Sequence, residues 1–169
     1  MKYQKLNISI VDDNKLVVIA LKNYLTKKFG TKIKITSYYD GESCLKKIGG
    51  KTNIVILDYY LNSENKNAKN GLEIIKAIKK CNSQTEVIML SGNEDIAIPV
   101  EARKAGAIGY IVKGDNALDK LILFINKIIA EPVRLLVKEY GVSKFLAIFI
   151  FVFIGMAAIV IWMLNIISY

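Results

Sequence analysis

Residues 6–30 read LNISIVDDNKLVVIALKNYLTKKFG. A short apolar run over 6–11 stops at Asp12-Asp13, and a helical pattern follows over 15–29 until Gly30 closes it. Strand, acidic loop and helix are therefore adjacent. The unit repeats along the chain. KIKITSY (32–38) alternates Lys and Thr with Ile as a strand near a sheet edge does, and a short helix over 42–48 ends at Gly49-Gly50. NIVIL (53–57) is an apolar run suited to a strand buried on both faces, and it delivers Asp58 at its end. The spacing of Leu72, Ile75 and Ile78 predicts an amphipathic helix over 71–81.

A fourth strand is expected over 86–90, ending at Ser91-Gly92, then a helix over 95–105 with Pro99 in its first turn. The fifth strand, 107–112, ends at Lys113. The fifth helix, 115–130, turns Leu118, Leu121, Ile122, Ile125, Ile128 and Ile129 inward and is interrupted by Pro132. Five strands alternating with five helices predict an α/β fold, a five-stranded parallel doubly wound sheet covered on both faces, over residues 1–130. Ligands of such sheets bind beyond the carboxyl ends of the strands. Asp12-Asp13, Asp58, Ser91 and Lys113 all fall there.

Apolar residues make up 53% of the 169, and no charged residue follows Lys144. That content excludes a disordered chain, and its concentration at one end excludes a polytopic membrane protein. FLAIFIFVFIGMAAIVIWMLNII (145–167) would rise roughly 34 Å as a helix. A transmembrane helix is expected there, preceded by a basic juxtamembrane linker, 131–144. Arg134, Lys138 and Lys144 before the segment predict the cytoplasmic side for everything preceding it. The expected localisation is the inner or cytoplasmic membrane, single-pass, with the C-terminus outside. The first residues carry no signal-peptide pattern.

The net charge is +9, and the absence of histidine excludes histidine acid–base chemistry, histidine metal ligation and phosphohistidine formed on this chain. Cys44 and Cys81 form no disulfide framework and lack metal-ligand spacing. Three carboxylates brought together call for a hard divalent cation, and Mg²⁺ suits an all-oxygen site.

Over Leu6 to about Ala130 the sequence resembles the receiver domain of two-component response regulators, CheY-like and flavodoxin-like in fold. The resemblance rests on Asp12-Asp13 after the first strand, Asp58 after the third, Ser91 after the fourth, and Tyr110 with Lys113 at the fifth. It implies a phosphoacceptor that assists its own phosphorylation and dephosphorylation, not an enzyme turning over a separate substrate. Asp58 would take the phosphoryl group, with Lys113 and Ser91 contacting it. Asp12, Asp13, Asp58 and the backbone carbonyl of Tyr60 would hold Mg²⁺. Ser91 and Tyr110 would form the switch.

The implied phosphate source is a sensor histidine kinase or phosphotransfer protein, and the implied function is a membrane-tethered single-domain regulator signalling through an output protein by contact. The alternative is a membrane-anchored pseudo-receiver that signals without phosphorylation. Lipid bilayer is an expected partner and nucleic acid is not, because no helix-turn-helix fits after residue 130. A homodimer through the fourth helix, fifth strand and fifth helix is a further option, with Arg103, Lys104, Asp115, Asp119 and Lys120 on that face.

Three positions depart from the family pattern. Asn62 stands where proline is usual, Gly71 follows Asp58 by thirteen residues where about eight are usual, and Gly114 replaces the proline after Lys113. The inserted residues within 62–70 are expected to form a surface loop, with partner docking as the functional option. Gly114 leaves the orientation of Lys113 open.

Overall fold

The computed structural model describes residues 5–49, 51–61, 69–92, 97–139 and 144–167. The chain divides into two units, Met1–Phe124 and Ile125–Tyr169. The first unit alternates β1 (Leu6–Val11), α1 (Lys15–Phe29), β2 (Ile33–Tyr38), α2 (Gly41–Lys47), β3 (Ile54–Asp58), α3 (Gly71–Cys81), β4 (Glu86–Ser91), α4 (Ala97–Ala105) and β5 (Gly109–Val112). It closes with the first turns of α5 (Ala117–Glu139), and α6 (Lys144–Ile167) follows in the second unit. The five strands pair in parallel in the order β2-β1-β3-β4-β5. β2 lies at an edge, as its alternating Lys and Thr require.

Strand periodicity distributes the core over both faces of the sheet. Val55, Leu57, Val87 and Met89 pack with Cys44 of α2, Ile74, Ile75 and Ile78 of α3, and Ile98 and Ala102 of α4. Their neighbours Ile54, Ile56, Ile88 and Leu90 are buried on the other side, as are Val18, Leu21 and Leu25 of α1. Gly109 lets the Phe124 ring of α5 approach: a Cβ there would stand 2.7 Å from it. The order of strands reverses at β1, so β2 and β3 flank it and a crevice opens beyond the carboxyl ends of β1 and β3.

Two features of α5 differ from expectation. Leu121, Ile122 and Ile125 are buried, but Leu118 and Ile129 are exposed, so the inner stripe is narrower than the spacing implied. The helix also runs through Pro132 to Glu139 instead of ending before it. A proline removes one backbone hydrogen bond, and strong helix formers such as Leu135, Leu136 and Lys138 carry the pattern onward. The start of the expected fourth helix, 95–96, lies outside the described residues, and α4 holds Pro99 in its first turn.

The transmembrane helix expected over 145–167 is not supported among the described residues, where no helix is long and apolar enough to cross a membrane. The backbone of α6 is helical over Lys144–Ile167, and its described side chains include the run over 148–164. Those described side chains are all exposed.

Candidate functional site: an acidic cluster closed by a lysine

β1 ends at Val11, fully buried, and the chain continues straight into Asp12, whose side chain is only 3% exposed. The Asp12 amide donates to Tyr38 O at 3.2 Å, which extends the β1–β2 ladder and aims the carboxylate over the sheet end. Two aspartates before a helix could have served as its cap, but Asn14 does that instead. Its Oδ1 accepts from the amides of Leu16 at 3.0 Å and Val17 at 3.4 Å. Asp12 Oδ1 in turn accepts the Asn14 amide at 2.9 Å, so the cap residue orients the carboxylate. The sequence signal for this cap is Asn14 itself, an Asn just ahead of an apolar periodic run.

Asp58 is the last residue of β3 and is 7% exposed. The next amide, that of Tyr59, donates to Leu90 O at 3.3 Å, and Tyr59 O accepts from the Gly71 amide at 2.9 Å. A Cβ on Gly71 would lie 2.9 Å from both Asp58 O and Tyr59 Cα, so the start of α3 presses on the backbone that presents Asp58. Only a residue without a side chain allows that approach. The extra residues between them therefore leave this contact intact. Residues 62–68 lie outside the described residues, but 69 and 70 are held: the Lys69 amide donates to Glu42 Oε1 at 3.2 Å, and Asn70 with Glu73 forms a reciprocal cap on α3.

Lys113 follows β5. Its amide donates to Ser91 O at 2.7 Å, and its ammonium lies 2.8 Å from Asp12 Oδ2 and 3.0 Å from Asp58 Oδ1. Glycine at 114 thus leaves the lysine aimed at both carboxylates, and the Ala117 amide closes a turn on Gly114 O at 3.0 Å. Asp12, Asp13 and Asp58 place one carboxylate oxygen each within 4.8 Å of the others, Asp13 from an exposed position. Ser91, the last residue of β4, is fully buried and stands opposite Val112 in register. Tyr110 on β5 is partly buried against the core that α3 and α4 cover. Tyr60, two residues past Asp58, is 52% exposed, and its ring meets that of Tyr59 edge-on at 4.7 Å.

Burial pushes the Asp58 carboxyl above the ordinary aspartate range. Hydrogen bonding and attraction from Lys113 oppose this, and the charge of Asp12 adds to it. Burial alone would lower the Lys113 ammonium, but the hydrogen bonds and charges of Asp12 and Asp58 outweigh it and hold its pKa above the usual lysine value. The cluster therefore has one cation shared between two desolvated anions. Its all-oxygen donor set and mutual spacing fit a hard divalent ion such as Mg²⁺.

Comparison with known proteins points the same way. A profile of the response regulator receiver domain matches residues 8–125. The nitrogen assimilation regulatory protein NtrX of Azorhizobium caulinodans is 32% identical over 97 residues, 57% of this chain and 20% of that protein. The transcriptional regulatory protein MalR of Bacillus subtilis is 28% identical over 110 residues, 64% of this chain and 44% of that protein. The chain thus matches less than half the length of either relative. Among solved structures, a CheY-like receiver domain protein from Methanospirillum hungatei superposes with a TM-score of 0.65 at 24% identity, covering 77% of this chain and 98% of that one. A Burkholderia pseudomallei response regulator, solved with a phosphorylated aspartic acid and a calcium ion, has a TM-score of 0.61 at 21% identity, covering 77% and 72%.

Proposed function

Because this chain belongs to the response regulator receiver domain family, we propose that it accepts a phosphoryl group on Asp58 from a sensor histidine kinase or phosphotransfer protein and signals through the resulting change of shape. One observation carries this reading: a buried carboxylate at the switch point of the sheet, held 3.0 Å from a lysine inside a three-carboxylate cluster.

A carboxylate oxygen of Asp58 attacks phosphorus, and the bond to the donor's leaving atom breaks with its electron pair departing on the donor. Lys113 turns from Asp58 Oδ1 to a phosphoryl oxygen while keeping Asp12, and so balances the added charge. The Ser91 hydroxyl, buried at the end of the neighbouring strand β4, would donate a hydrogen bond to that group. Its movement, with inward rotation of Tyr110, would carry the change to the face of α4 and β5. Asp12, Asp13, Asp58 and the Tyr60 carbonyl would hold Mg²⁺, which when bound supplies positive charge to offset the phosphoryl oxygens.

Membrane tethering through α6 completes the proposed function. It is supported by the 24 residues of α6, by the lack of any charge after Lys144, and by the exposure of every side chain described over 148–164. The reading places residues 1–130 on the cytoplasmic side as the receiver, with 131–144 as the link.

Intact-mass spectrometry of the purified chain after incubation with acetyl phosphate and Mg²⁺, with Asp58→Asn alongside, tests the chemistry. A phosphoryl adduct that needs Mg²⁺ and is missing from the variant supports it. Absence of the adduct together with failure to bind beryllofluoride would sink it.

A further inference from the structure

The helices of the first unit run opposite to the parallel strands, so their C-termini gather at the end of the sheet away from Asp58. Each of α1 to α4 finishes on a basic pair there, among them Lys27 and Lys28, Lys46 and Lys47, and Lys79 and Lys80. Lys51, exposed just before β3, adds to them. Glu86, the first residue of β4, brings a carboxylate to this end, and Lys79 neutralises it at 3.3 Å. Acids instead collect at the other end: Asp12, Asp13 and Asp58 in the site, with Asp40, Glu42 and Glu73 at the starts of α2 and α3.

A lysine at one helix C-terminus is ordinary complementarity to the helix dipole. Four helices ending alike on one end, with Asp12, Asp13, Asp40, Glu42, Asp58 and Glu73 at the opposite one, make a one-sided field. We propose that this basic end docks on the anionic headgroups of a lipid bilayer, turning the Asp58 site away from the membrane and toward soluble phosphodonors. The proposal rests on the tethering reading for its choice of partner: the same chain carries the exposed apolar helix α6, and basic residues near a lipid surface are drawn to its anionic headgroups.

The test reconstitutes the full chain with vesicles of neutral phosphatidylcholine or of phosphatidylcholine with anionic phosphatidylglycerol, then acylates lysines and reads each by mass spectrometry. Lys15 and Lys69, at the site end, are the internal reference. The expected result is protection of Lys46, Lys47 and Lys80 by at least about fivefold over the reference, in anionic vesicles only, lost in 0.5 M salt. Lys46→Gln with Lys47→Gln, both on exposed positions, should lower protection of Lys80 while leaving acetyl phosphate labelling of Asp58 unchanged. Sedimentation with both vesicle types without lysine protection overturns the docking and leaves the tether standing. Sedimentation with anionic vesicles alone, abolished by the double variant, supports the docking and removes the tether. No sedimentation with either, or protection produced by added duplex nucleic acid instead of vesicles, overturns the proposal.

Discussion

Lys113 Nζ stands 3.0 Å from Asp58 Oδ1, and the same ammonium lies 2.8 Å from Asp12 Oδ2. One partly exposed cation thereby holds two buried anions whose own repulsion would otherwise open the carboxyl ends of β1 and β3.

Lys113→Ala removes that cation and leaves the carboxylates of Asp12 and Asp58 uncompensated. The expected cost is about 1–3 kcal/mol in a urea titration. Part of the loss should return in millimolar Mg²⁺, because the cation replaces the missing charge. Labelling of Asp58 by acetyl phosphate should fall at least about tenfold, as expected for loss of a charge that stabilises the transferring group.

Asp58→Asn acts in the other direction. Burial, aided by the charge of Asp12, raises the Asp58 carboxyl in the folded state against the pull of Lys113. A raised folded pKa contributes stability below the unfolded carboxylate value of about 4, and that contribution is lost as pH rises through the folded value. At neutral pH the ionised carboxylate is therefore a cost, and the neutral amide should raise Tm in metal-free buffer. Added Mg²⁺ should narrow the difference by stabilising the wild type more. A lower Tm for the variant without Mg²⁺ would contradict this.

Gly71→Ala sets a methyl group 2.9 Å from Asp58 O and Tyr59 Cα, where backbone, not a flexible side chain, must give way. Overpacking of this kind costs about 1–3 kcal/mol. Thermal denaturation should show the loss, and Asp58 should label more slowly because its backbone is displaced. Ala at Gly114, which has open space around it, should do neither.

Cys44 and Cys81 should differ sharply toward iodoacetamide. Cys44 is buried, and desolvation with the nearby Asp40 charge pushes its thiol up to about 12, whereas Cys81 is exposed. At pH 8 the native protein should take one label, at Cys81, and a second only on unfolding. The raised thiol value also means that its stabilising contribution is present below about 8.5 and is lost as pH rises toward 12. Cys44→Ala should flatten that alkaline decline.

Tyr60 lies two residues beyond Asp58 with a ring braced edge-on by Tyr59. If that ring screens the acyl phosphate from water, Tyr60→Gly should lose phosphate several-fold faster than wild type after donor removal. Equal rates would show that the ring does not restrict water.

The alternation of β and α, the edge position of β2 and the polar residues at the strand ends were all legible in the sequence, because period-2 and period-3.6 patterns are local and chain order constrains a parallel sheet. Asp12, Asp13, Asp58, Ser91 and Lys113 were identifiable for the same reason: each ends or follows a strand. What tertiary structure alone decided was how those ends meet. Whether Asp12 caps α1 or faces the site depends on Asn14 taking the cap. That Gly114 leaves Lys113 on target depends on two carboxylates arriving from β1 and β3. That an insertion before α3 does not disturb Asp58 depends on Gly71 reaching Tyr59 O. Such contacts join residues distant in the chain, so no local pattern records them. The passage of α5 through Pro132 is a different case, a local balance in which one lost hydrogen bond is outweighed by helix continued on both sides.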